Sequence, residues 1–124
     1  MTREELQDRL IAFTATINDL SRNLNGSTIA RHISDQMTRS STSAALNYAE
    51  ARSAESRKDF IHKIKIVLKE LRETEVSLRI IQSNHVCKFE EKLSKCMKEN
   101  LELISIFWKT VETAQKNMIK FPNK

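Results

Sequence analysis

In two stretches of this sequence, a set of mostly apolar residues recurs at alternating intervals of four and three positions. This spacing places each set along one face of an α-helix. These sets are Leu6, Leu10, Phe13, Ile17, Leu20 and Leu24, and then Phe60, Ile64, Val67, Leu71, Thr74, Leu78 and Ile81. Two such positions per heptad are typical of helices that cross at about 20° in a bundle. One Gly and one Pro in 124 residues leave little material for tight turns or sheets. The sequence therefore predicts an all-α, antiparallel up-and-down four-helix bundle.

Four helices are predicted at about residues 3–24, 27–51, 56–83 and 86–119, in a single domain that spans residues 1–124. Gly26 is expected to end the first helix in the left-handed conformation, which glycine adopts without steric cost. The apolar side of the fourth helix is predicted to comprise Val86, Phe89, Leu93, Met97, Leu101, Ile104, Phe107, Val111, Ala114 and Met118. This helix is longer than most, so it either extends beyond the bundle or is broken near residues 85–88.

The second predicted helix carries a line of polar residues at helical spacing beside many Ser and Ala residues. The line comprises Gln36, Ser40, Ser43, Asn47 and Glu50. Small side chains let another helix come close, and polar groups that become covered need hydrogen-bond partners. The line could form an internal network with Lys or Arg of the third helix, a subunit interface, or a ligand site. The first two interpretations are favoured, because buried Asn and Glu residues often fix helix register and partner choice.

A basic stripe runs along the third predicted helix of this chain, whose formal net charge is +5. The stripe comprises Lys58, His62, Lys65, Lys69 and Arg72, again with spacings of four and three. It could contact the phosphates of RNA or DNA. A solvated face, or one that pairs with acidic residues nearby, is favoured, because no aromatic residues for base stacking lie within the stripe.

The candidate catalytic and metal-binding residues fit no enzymatic pattern. A di-iron bundle needs two Glu-x-x-His units, whereas this chain offers only Asp59 with His62. Cys87 and Cys96 lie on one predicted helix at a spacing that matches no common zinc site, so buried or half-buried free thiols are expected. A single Gly cannot build a phosphate-binding loop. We expect no metal, no cofactor and no enzymatic activity.

The sequence also predicts a cytoplasmic protein without a membrane segment. Its apolar runs are far shorter than the roughly 20 residues that span a bilayer. Its first residues, MTREELQDRL, lack the apolar region and cleavage site of a signal peptide.

A mixed set of residues in the middle of the chain resembles the signature of the four-helix bundle proteins encoded in 23S rRNA intervening sequences. The set comprises Gln36, Arg39, Ser40, Thr42, Ser43, Asn47, Glu50, Ser56, Lys58, Asp59, Phe60, His62, Lys63, Lys69, Glu70, Glu73 and Thr74. The resemblance implies an up-and-down bundle that forms a ring-like homo-oligomer, a pentamer in particular, without established enzymatic activity. It also adds Arg39 and Glu73 to the candidate network or interface residues.

Two functional hypotheses follow for a chain of this kind. The first is a non-enzymatic, homo-oligomeric helical bundle that acts as a structural or interaction protein. The second is an RNA- or DNA-binding adaptor that uses the basic stripe. A nucleic-acid-binding accessory protein of diversity-generating retroelements is similar in fold to the family that this chain resembles, which makes the second hypothesis worth testing.

Overall fold

The structure is a computed structural model in which residues 1–120 are described. It contains four α-helices: α1 (Arg3–Arg22), α2 (Thr28–Arg52), α3 (Arg57–Asn84) and α4 (Glu90–Lys120). Each helix packs against the helices before and after it in the chain, and α1 also packs against α4. The helices therefore surround one core in chain order, which confirms the predicted all-α bundle.

Polar contacts between neighbouring helices show that all four run antiparallel to their neighbours. Between α1 and α4, Arg9 pairs with Glu99 at 2.6 Å, and Asp19 pairs with Lys92 at 2.6 Å. Residue numbers thus rise along α1 as they fall along α4. The pairs that join α2 to α3 follow the same pattern. Between α3 and α4, the hydrogen bonds from Asn100 to the Leu71 carbonyl and from Arg57 to the Asn117 carbonyl follow it too. The bundle is up-and-down, as short connections between helices favour.

The core contains both apolar lines that the spacing predicts. The line from Leu6 to Leu24 is at most 9% exposed at any position, although α1 ends at Arg22, so Leu24 lies just beyond the helix that was expected to contain it. On α3, Ile64, Leu71 and the rest of the line are buried, except that Phe60 at the start of the helix is only half-buried. The burial of these sidechains supplies the main driving force for folding of the bundle.

The buried face of α4 differs from the predicted one. Its buried residues are Leu93, Cys96, Asn100, Leu103 and Phe107. Of the predicted apolar side, Leu93 and Phe107 are buried, whereas Phe89 and Leu101 are 53% and 51% exposed, so the prediction was wrong for these two. The physical reason is that α4 carries two apolar lines at helical spacing, and only one of them can point at the centre of the bundle.

The connection between α3 and α4 differs from the sequence-based expectation in two ways. First, α4 begins at Glu90, so Val86, Cys87 and Phe89 lie outside the helix that was expected to contain them. Cys87 and Cys96 are therefore not on one helix, although both are free thiols, with Cys87 half-buried and Cys96 buried. Burial raises the pKa of the Cys96 thiol to about 11, which keeps it protonated and unreactive near neutral pH.

Second, the left-handed backbone occurs at His85, which ends α3 with φ of 53°, and Gly26 does not have a positive φ. Histidine is among the non-glycine residues that adopt this conformation more often than most. The turn lets Val86 accept a hydrogen bond from the Asn25 amide at 2.9 Å, while the Lys88 amide donates to the Asn23 carbonyl at 3.2 Å. These bonds join the two connections at one end of the bundle and hold the turn that follows His85.

Candidate functional site

A polar network joins α2 to α3 within the bundle. Arg39 donates a hydrogen bond to Glu70 at 2.9 Å and forms a second pair with Glu73. Ser40 and Thr74 share a hydrogen bond at 2.6 Å between side chains that are 1% and 0% exposed. Hydrogen bonding to Glu73 and the negative charge of Glu70 raise the pKa of Arg39. The network therefore fixes how α2 and α3 align.

The other members of the predicted polar line lie at the edge of this network. Gln36 is exposed, and Asn47 donates to the carbonyl and the hydroxyl oxygens of Ser43 at 2.9 and 3.1 Å within the same helix. Glu50 pairs with Lys63 of α3 at 3.2 Å, although its side chain is 61% exposed. Of the five residues in the line, Ser40 alone is buried in the bundle. Asn47 remains half-buried.

Leu46 forms the centre of a small, mostly uncharged surface on the outside of α2. Its side chain is 63% exposed, and small side chains surround it. We call this the α2 surface; it consists of Thr38, Thr42, Ser43, Leu46, Asn47 and Ala49, between Arg39 and Glu50. Sequence reasoning identified its small and polar members but missed Leu46, because a single exposed leucine gives no periodic signal.

A second apolar line runs along α4 outside the core. It comprises Met97, Leu101, Ile104, Trp108 and Val111, at spacings of four and three, and we call it the α4 seam. Leu101 and Trp108 are 51% and 50% exposed, whereas the other members are half-buried. Periodicity alone assigned most of the seam to the core and missed Trp108. The 4-3 spacing of all five residues was nevertheless a visible signal of a second apolar face on this helix.

The opposite flank of α4 is charged and faces α1. Arg9 donates to Glu99 at 2.8 and 2.6 Å and to Glu102 at 2.7 Å. Hydrogen bonding to Arg9 lowers the pKa of Glu99, despite the opposing effect of partial burial. Since this charged flank faces α1, the α4 seam lies on the flank nearer α3.

All five residues of the predicted basic stripe are exposed on the outer face of α3: Lys58, His62, Lys65, Lys69 and Arg72. Within residues 1–120, none of them forms an ion pair, because the nearby Glu70 and Glu73 pair with Arg39 instead. The structure thus brings the stripe together on one accessible surface. Val76, 53% exposed, continues this face at one end.

In the described part of the chain, no group of three or more His, Cys, Asp or Glu side chains could hold a metal ion. Asp59 and His62, the one pair with the spacing of a di-iron unit, are both exposed. None of the helices in residues 1–120 has the length and hydropathy needed to cross a bilayer.

Comparison with known proteins identifies a family and a solved structure with a similar fold. The model of the 23S rRNA-intervening sequence protein family matches residues 5–109. A crystal structure of a protein of unknown function from the S23 ribosomal protein family of Bacteroides thetaiotaomicron is also similar. It is 28% identical, with a TM-score of 0.77, and the match covers 90% of this chain and 99% of that chain. The search of the curated proteins found no significant match.

Proposed function

The chain belongs to the 23S rRNA-intervening sequence protein family, and from that premise we propose that it is a non-enzymatic, cytoplasmic helical bundle that associates with copies of itself. In this proposal the assembly is a structural or interaction module. The α4 seam is the observation that carries it, because a regular apolar line with Leu101 and Trp108 half-exposed is suited to packing against another helix.

A closed ring requires two different surfaces on each subunit, one to contact the subunit ahead and one to contact the subunit behind. The α4 seam and the α2 surface meet this requirement, because α2 and α4 are not neighbours in the bundle. The small side chains around Leu46 leave room for a helix to approach closely. We therefore propose that the α4 seam of one subunit packs on the α2 surface of the next. Five subunits is the number that the family resemblance implies.

Light scattering on the purified protein tests this assembly. The wild type should have the mass of about five chains, and the double substitution Leu101→Glu with Trp108→Glu should give a folded monomer, because two charges would be buried at each contact. Leu46→Glu, on the other side of the proposed contact, should also give monomers.

The matched control is Ile11→Glu, since Ile11 on α1 is 53% exposed and lies on neither surface. This variant should keep the mass of the wild type. A wild type that stays monomeric at tens of micromolar, or a double variant whose mass is unchanged, would contradict the proposed assembly.

The second candidate function is an RNA- or DNA-binding adaptor, and the accessible basic stripe favours it. Its cations, including Lys65, Lys69 and Arg72, have no acidic partner within residues 1–120. Each lysine or arginine that neutralises a phosphate releases counterions, so the affinity should fall steeply with salt. The absence of stacking aromatics in the stripe predicts backbone contacts without marked sequence preference.

Titrating a structured RNA hairpin with the protein across a salt series tests the adaptor. A plot of log affinity against log salt should be linear, and Lys65→Gln, Lys69→Gln and Arg72→Gln together should make its slope shallower by about 2 to 3. The control combines Lys88→Gln, Lys95→Gln and Lys98→Gln, which removes three exposed lysines from elsewhere. If the wild type fails to bind at low salt, or if both triple variants lose affinity equally, the stripe is not a nucleic-acid site.

A further inference from the structure

An open cavity of about 830 Å³ lies at the end of the bundle where α1 and α3 begin. Three separate parts of the chain form its walls: the start of α1, the connection from α2 to α3 with its flanking turns, and the last part of α4. Its volume falls within the range typical of sites for small organic molecules. The cavity involves neither the α4 seam nor the basic stripe.

The floor of the cavity is apolar, but one polar group, the hydroxyl of Tyr48, lies on it. Leu6, Phe60 and Ile106 contribute apolar surface, and Tyr48 lies beside them. Tyr48 is 2% exposed, and its ring packs edge-on against Phe107 with centroids 5.3 Å apart. Its hydroxyl group forms no hydrogen bond within residues 1–120. The hydroxyl is not among the buried side-chain atoms that lack a partner, so it reaches the open space of the cavity and can donate a hydrogen bond to a molecule there.

The rim of the cavity is predominantly positive. It carries Arg3, Arg52, Arg57 and Lys109 against the single acidic residue Glu55. Arg57 donates to the Asn117 carbonyl at 2.7 Å, and Arg3 lies over the Phe60 ring at 5.0 Å from its centroid. Arg52 and Lys109 make no hydrogen bond or ion pair with the described residues. Two cations are thus available to a ligand at the mouth of the cavity.

The charge state of Tyr48 suits it to donate a hydrogen bond to an anion. Burial raises the pKa of Tyr48, and the nearby positive charges of Arg3 and Arg52 oppose that rise. The phenol therefore keeps its proton at neutral pH. A protonated phenol and free cations around an apolar floor match an anionic group attached to an apolar body.

We propose that this cavity binds an amphiphilic organic anion, with the apolar part on Leu6, Tyr48 and Ile106 and the anionic group between the Tyr48 hydroxyl, Arg52 and Lys109. The carboxylate of a fatty acid and the phosphate of a mononucleotide share this chemistry. The site is independent of self-association, because each subunit contains all of its walls.

Fluorescence titration with 8-anilinonaphthalene-1-sulfonate, an aromatic anion, tests the site on the full chain. One molecule should bind per subunit, and Arg52→Gln with Lys109→Gln should weaken binding about tenfold. Tyr48→Phe keeps the ring and removes only the hydroxyl group, so it should weaken binding by about threefold or more. Lys95→Gln with Lys98→Gln, which removes two exposed lysines outside the cavity, should leave binding unchanged.

Competition then identifies the source of the ligand. Displacement of the probe by decanoate assigns the cavity to a fatty acid, and displacement by adenosine monophosphate assigns it to a nucleotide. Displacement by neither, equal binding by all the variants, or no binding would overturn the proposal. Light scattering on the same samples measures self-association separately from ligand binding. A monomeric sample should still bind the probe, since loss of the ring leaves the cavity walls intact.

Discussion

Phe107→Ala should lower the free energy of unfolding by about 3 to 5 kcal/mol, the largest loss that we expect from a single substitution in this chain. Phe107 is 0% exposed, and its ring meets the ring of Tyr48 at an interplanar angle of 73°. It therefore connects α4 to α2 across the centre of the bundle. Alanine would remove most of the buried surface of the side chain and leave a cavity that the rigid helices cannot fill.

Urea unfolding followed by circular dichroism measures this loss, at one protein concentration so that any association contributes equally. The control is Val76→Ala on α3, because Val76 is 53% exposed. Its free energy of unfolding should stay within about 0.5 kcal/mol of the wild type. A loss below about 1 kcal/mol for Phe107→Ala would mean that its ring does not occupy the core.

Arg39→Ala should lower the free energy of unfolding by about 1 to 3 kcal/mol, mainly through its effect on Glu70. The Arg39 side chain is 53% exposed, so the ion pairs themselves are screened by water and contribute little. Glu70, however, is 5% exposed, and Arg39 is its only ion-pair partner within residues 1–120. Alanine would therefore leave a buried carboxylate without a counter-charge.

Two further variants separate this effect from a general loss of surface charge. Glu73→Gln removes the partner whose side chain is 42% exposed, so it should cost about 0.5 kcal/mol or less. Glu70→Gln removes the buried charge, so Arg39→Ala should cost less in that background, with a coupling energy of about 1 kcal/mol. Additive losses in the double variant would show that Arg39 does not act through Glu70.

The sequence alone was sufficient to predict the four helices and the positions of most of their ends. The 4-3 spacing of apolar residues on α1 and α3 identified their buried faces, because residues at this spacing lie on one side of a helix. The side chains of Thr2, Ser27 and Ser56 accept hydrogen bonds from backbone amides at the starts of α1, α2 and α3, as their residue types predict. Local chemistry decides such features, so no distant residue is needed to predict them.

The candidate surfaces were predictable only in part. The spacing of the basic stripe correctly placed Lys58 through Arg72 together, since helical periodicity fixes which residues share a face. The polar line of α2 was recognised as a set, but which of its members are buried depends on the residues opposite them on α3. Ser40 faces Thr74 and is covered, whereas Glu50 faces Lys63 and remains exposed.

The sequence by itself determined four helices, their order and the buried lines of α1 and α3. Only the tertiary structure decided which of two apolar lines on α4 enters the core. It also buried Asn100, whose amide donates to the Leu71 carbonyl at 3.2 Å, and it brought three distant segments together around a cavity at Tyr48. The physical reason is that periodicity fixes which side chains share a face of a helix, whereas the rotation of that helix depends on how all its neighbours pack together.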